Sequence, residues 1–85
     1  MELEVDFAES AFRHGYEPED FFEVLDNQPL KLRSQRGLGG VYELYGRNGV
    51  GDYLHIAYRR VSKTAVVFHI RTMSDSERKM YRKLK

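Results

Sequence analysis

Two runs of alternating residues, 52–60 and 64–71, leave the second half of this chain little architectural choice. Both are rich in Tyr, Val, Ile and Phe, and Val61-Ser62-Lys63 separates them, the pattern of two strands joined as a hairpin. Strand side chains alternate between faces, so Leu54, Ile56 and Tyr58 share one face of the first run, and Val66, Phe68 and Ile70 share one face of the second. The other face then carries Tyr53, His55, Ala57 and Arg59 beside Ala65, Val67, His69 and Arg71. Joining the two apolar sets requires paired residue numbers to sum to an even value, because a one-residue slip would set Leu54 and Ile56 beside His69 and Arg71. With Arg60 opposite Thr64, His55 falls across from His69 and Tyr53 across from Arg71. The expectation is one dry sheet face under helices and one polar face.

The flanking segments supply those helices. Residues 8–14 read as a short helix stopped by Gly15, which accepts the left-handed backbone that a helix end favours. A second helix begins near Pro18, suited to the first helical position, with Glu19 and Asp20 complementing the helix dipole. Phe21, Phe22, Val24 and Leu25 form its apolar face, and Asn27 with Pro29 ends it. Leu30 and Leu32 alternate with Lys31, Arg33 and Gln35 until Gly37, Gly39 and Gly40 break the run; residues 41–45 read as a further strand. Ser74 and Glu77 have the spacing of a capping box that opens a last helix, with Met80 and Leu84 four apart. The reading is an α+β fold in one domain over residues 1–85. It has two short N-terminal helices, an antiparallel sheet of three to four strands, and a C-terminal helix.

Composition narrows the function. The chain of 85 residues has no cysteine, so neither a disulfide nor a thiolate site is available. No segment has the apolar length of a signal peptide or membrane span, and a soluble, cytoplasmic protein is expected. Residues 1–26 hold nine acidic side chains against Arg13 alone, whereas residues 27–85 hold thirteen basic against four acidic. Either the halves pair with each other, or the basic half meets a polyanion.

The polar face carries the chemistry for the second option. Cleaving RNA through its 2′-hydroxyl needs a base, an acid for the leaving oxygen, and cations for the developing charge. His69, His55, Arg71 and Arg59 are candidates for those roles, and Tyr53 offers a ring for base stacking. The same set is also read, on the residues alone, as a solvated outer face with a cross-strand polar pair. His14, just before Gly15, could serve a helix end or catalysis. Arg78, Lys79, Arg82, Lys83 and Lys85 form a basic tail, and Tyr81 lies one turn beyond Arg78, placed to stack on a base or to pack. The three histidines have no metal-ligand spacing along the chain, so neither metal nor cofactor is expected.

Two blocks resemble a known family. The run from Phe7 to Gly15 followed by Glu17-Pro18-Glu19-Asp20 resembles the opening of BrnT-like toxins of type II toxin–antitoxin systems. Val67-Phe68-His69-Ile70-Arg71 followed by Ser76-Glu77-Arg78-Lys79-Met80-Tyr81 resembles the closing strand and helix of that family. The resemblance covers nearly the whole chain. It implies a RelE-like fold and a ribonuclease that inhibits translation by cleaving RNA, free or on the ribosome. It also implies neutralisation by a ribbon-helix-helix antitoxin. The matching positions are His14, Arg71, Arg78 and Tyr81, with His69 added by its place on the strand; Tyr53, His55, Arg59, Lys79 and Arg82 would contact RNA. A non-catalytic nucleic-acid- or protein-binding module on the same fold is the alternative.

Overall fold

Alternation at the centre of the chain does produce a hairpin, and the rest of the fold is assembled around it. The computed structural model describes residues 4–33 and 40–85. In chain order its elements are β1 (Glu4–Phe7), a 3-10 turn (Glu9–Phe12), α1 (Pro18–Asp26), β2 (Leu30–Arg33), β3 (Val41–Arg47), β4 (Tyr53–Val61), β5 (Thr64–Thr72) and α2 (Asp75–Leu84). Gln35, Gly37 and Gly39, read above as the end of a strand and a glycine break, lie outside the described residues.

The sheet is five-stranded and mixed, in the order β1-β5-β4-β3-β2, rather than antiparallel with three or four strands. The addition is β1, which runs parallel to β5 with Val5 opposite Ala65 and Phe7 opposite Val67. Glu4 and Asp6 alternate with Val5 and Phe7 there, a half-buried edge strand whose acidic residues mask its period. The first of the two expected N-terminal helices is only a 3-10 turn, because its leading residue Ala8 has no side chain to cap it. Gly15 follows at φ +88°, the left-handed backbone that ends the segment. The second helix, α1, starts on Pro18 as expected, with the Glu17 N–H donating to Asp20 Oδ2 at 2.8 Å.

The hairpin differs from its expected register. Val61 pairs with Thr64, so Ser62 and Lys63 alone make the turn, and Ser62 takes the left-handed φ of +56°. His55 faces Arg71, not His69, and His69 faces Ala57. Between them the register shifts at Ala57/Tyr58, leaving Phe68 as an extra residue in β5. A bulge sets two successive side chains on one face. Consequently Ala65 and Val67, not Val66 and Phe68, join the core with Leu54, Ile56, Tyr58 and Ile70.

Helices lie on both faces. The main core sits beneath α1 and the 3-10 turn, where Phe21, Val24 and Ala11 meet the strands. There α1 lies so close to β3 that a Cβ at Gly46 would stand 3.1 Å from Val24 Cγ1. Across the sheet, Tyr81 and Met80 of α2 pack with Tyr45, Met73, Tyr53, Leu30 and Leu32. The expected polar face is therefore half covered by the last helix. No helix among the described residues is long and apolar enough to cross a membrane.

Candidate active site

On that second face the three histidines form a row that runs from buried His55 to exposed His14. His55 on β4 and His69 on β5 have ring centroids 5.4 Å apart, and His69 and His14 are 5.8 Å apart. His69 keeps the face that alternation gives it, and the bulge before it sets it opposite Ala57 rather than His55; at the bulge the Phe68 carbonyl accepts from Ser10 Oγ at 2.8 Å. With Ala8 N–H donating to Val67 O at 2.8 Å, this fastens the 3-10 turn to β5 and carries exposed His14 to the rim.

The buried end of the row is built by β3. Glu43 Oε1 accepts from Tyr45 Oη at 3.0 Å and lies 2.8 Å from His55 Nε2. A carboxylate oxygen accepts, which assigns the His55 proton to Nε2. His55 is only 7% exposed, and its Nδ1 is buried without a partner among the described residues. Burial raises the Tyr45 hydroxyl above its ordinary range, and the bond to Glu43 adds to the shift. Tyr45 therefore stays a neutral donor.

Electrostatics separate His69 from its neighbours. Burial is the chief cause that lowers its pKa below 6.5, followed by the electrostatic influence of the neighbouring His55 and Arg71. His69 is thus neutral and a proton acceptor near pH 7. Arg71, expected to meet phosphate, is paired within the fold. Its Nη1 and Nη2 donate to Glu77 Oε1 and Oε2, both at 2.7 Å, and Nη1 also reaches Thr72 O at 2.9 Å. Those bonds to Glu77 raise the Arg71 pKa and keep it charged. Burial works to raise the Glu77 carboxyl, yet the Arg71 and Ser74 hydrogen bonds outweigh it and hold the group at about 2.

The remaining expected residues gather elsewhere. Arg78 and Arg82 stand over the ring of Tyr53, with Cζ 4.4 Å and 6.0 Å from its centroid. Tyr81 is buried at 8% exposure against Tyr53 and Tyr45, a packing residue. Lys79 is exposed on α2. Arg59 lies over Phe68 at 5.9 Å, one residue from His69. The structure therefore brings His14, His55 and His69 together, and sets Arg78 and Tyr81 in a second group.

Sequence reasoning missed Glu43, Tyr45 and Glu77 in the site, and Arg47 beside Tyr53. Pairing β3 with β4 would have found three of them, because Glu43, Tyr45 and Arg47 alternate opposite Ala57, His55 and Tyr53. Among the described residues Arg71 and Glu77 form an ion pair and His55 bonds to the Glu43 carboxylate, both inside the basic half. The acidic half instead ties backbone and amide groups of the β3–β4 turn, with Asn48 Nδ2 donating to Asp20 Oδ1 and Gly49 N–H to Glu23 Oε1. Among the described residues no three His, Asp or Glu side chains converge to hold a metal ion. Compared with known proteins, the chain matches no family model, no curated protein and no solved structure.

Proposed function

We propose that this chain is an endoribonuclease toxin on a RelE-like fold, acting in the cytoplasm to inhibit translation and held in check by a ribbon-helix-helix antitoxin. The observation that carries the reading is the row of His14, His69 and His55, with a neutral His69 between an exposed and a carboxylate-bound imidazole. The sequence resemblance supports the toxin context.

The chemistry balances with side chains alone. His69 takes the proton of a ribose 2′-hydroxyl, whose oxygen bonds to the adjacent phosphorus as the bond to the 5′-oxygen breaks. His14, at the rim, gives a proton to that 5′-oxygen. The products are a 2′,3′-cyclic phosphate and a 5′-hydroxyl end. Arg59, exposed beside the bulge, faces the charge that develops on the phosphate. Glu43 positions His55, which backs His69 from the neighbouring strand.

A second reading keeps the surface but not the cleavage: a nucleic-acid- or protein-binding module. One observation favours it, that the fork of Arg71 is already filled by Glu77 rather than open to phosphate. Inducible expression in a bacterial host separates the two. The nuclease reading expects growth arrest and RNA decay with the wild type, and neither with His69→Ala. Normal growth with intact RNA in both strains leaves the binding module.

A further inference from the structure

We infer that Tyr53 and three arginines form a phosphodiester clamp, a second site that grips the backbone of a single RNA strand beside the histidine row. The inference rests on the RNA reading above and gives the strand a path. Tyr53 opens β4, and its ring collects guanidiniums from two other elements. Arg47 of β3 stands 4.9 Å from the centroid, while Arg78 and Arg82 of α2 stand at 4.4 Å and 6.0 Å. Tyr81 meets the ring edge-on at 6.0 Å. The Tyr53 ring is thus a hub that holds cations, not the free stacking surface expected from the sequence.

An aromatic face orients a cation without neutralising it. None of these three arginines belongs to an ion pair among the described residues, although Asp75 shares a shallow groove with Arg78, Lys79 and Arg82. Arg47 is steadied by its Nε donating to Gly51 O at 3.3 Å. Arg78 Nε is buried without a partner among the described residues. Three like charges on one ring repel, and a phosphodiester, whose oxygens suit planar guanidinium forks, relieves that repulsion. The Tyr53 hydroxyl is held below its ordinary range, first by the Arg47 charge and then by the Arg82 hydrogen bond, as a positive local potential requires. Tyr53 and His55 share a face two residues apart on β4, about 7 Å by strand rise. A strand lying across His69 therefore has a neighbouring phosphate within reach of the clamp.

The test is binding of a fluorescent 2′-O-methyl oligouridylate, which lacks the attacking hydroxyl and cannot be cleaved, followed by anisotropy across a salt series. Arg82→Ala is expected to weaken binding roughly 3- to 10-fold and to lower the salt slope by about 0.7. Tyr53→Leu is expected to weaken binding by a similar factor although no charge is lost, because the arginines lose their hub. Thermal melts identify any variant that has lost its fold, and Arg47→Lys provides a second, charge-conserving change with the same expected direction. Wild-type affinity and slope in folded Arg82→Ala and Tyr53→Leu would overturn the clamp. So would displacement of the strand by inorganic phosphate or oligoglutamate as effective, per charge, as by unlabelled strand. Arginine-dependent binding without cleavage of ordinary RNA defeats the nuclease reading and leaves the clamp. Cleavage with unaltered binding in the variants does the reverse.

Discussion

Arg71 and Glu77 meet fork to fork, with two parallel bonds of 2.7 Å that fasten the last strand to the last helix. Glu77 Oε1 also accepts the Ser74 N–H at 2.9 Å, and the Glu77 N–H donates to Ser74 Oγ at 3.2 Å. The ion pair and the helix cap are therefore one unit. Arg71→Ala and Glu77→Gln are each expected to destabilise the fold by about 1–3 kcal/mol in urea unfolding. The double variant should lose less than the sum of the two, since both remove the same contact. Simple additivity would show that the pair is not coupled.

The same pair sets an acid limit. The Glu77 pKa is depressed from 4.5 to about 2 in the folded chain. The unfolded state therefore binds the proton more tightly, and the contribution is complete above about pH 4.5 and lost as pH falls toward 2. Solvent around this partly exposed pair reduces the effect to about 1 kcal/mol. Stability measured from pH 5 to pH 2 should fall less steeply in Glu77→Gln than in the wild type. Parallel curves would contradict the assignment.

For His69 the sign also favours the neutral form. Its pKa lies below 6.5, so the proton-accepting state persists into mildly acidic solution. The acid limb of kcat/KM for RNA cleavage should then have its midpoint below pH 6.5, the value for an unperturbed histidine. Titration of the His69 ring protons by NMR should give the same midpoint. A midpoint above 6.5 in either measurement would remove His69 as the base.

Glu43 holds two partners at once, Tyr45 and His55. Glu43→Ala leaves the His55 ring with neither nitrogen bonded and the Tyr45 hydroxyl unpaired, at an expected cost of about 1–3 kcal/mol. Glu43→Gln retains an acceptor and should recover most of that stability. Nitrogen shifts of His55 should report the proton on Nε2 in the wild type and a mixture of tautomers in Glu43→Ala. Unchanged shifts would place the ring under other control.

What the sequence revealed follows from which forces are local. The capping box at Ser74 and Glu77, the start of α1 at Pro18 and the two central strands depend on neighbours a few residues apart, and each was legible. The parallel pairing of β1 with β5 joins residues about sixty positions apart, and nothing in Glu4–Phe7 names its partner. The bulge at Phe68 was equally hidden. An even-sum register assumes unbroken alternation, and one inserted residue moved Val67 into the core and Phe68 out of it. The histidine face was visible as a pattern, but its chemistry was not. Which arginine meets a carboxylate and which an aromatic ring depends on the path of α2 over the sheet, as Arg71 and Arg78 demonstrate.

The most direct test uses purified protein and a labelled single-stranded RNA in the presence of a metal chelator, with wild type beside His69→Ala. The proposed chemistry predicts fragments ending in 2′,3′-cyclic phosphate and 5′-hydroxyl from the wild type, and a rate at least about 100-fold lower from a folded His69→Ala variant. Intact RNA with the wild type, or equal cleavage by both proteins, would contradict it.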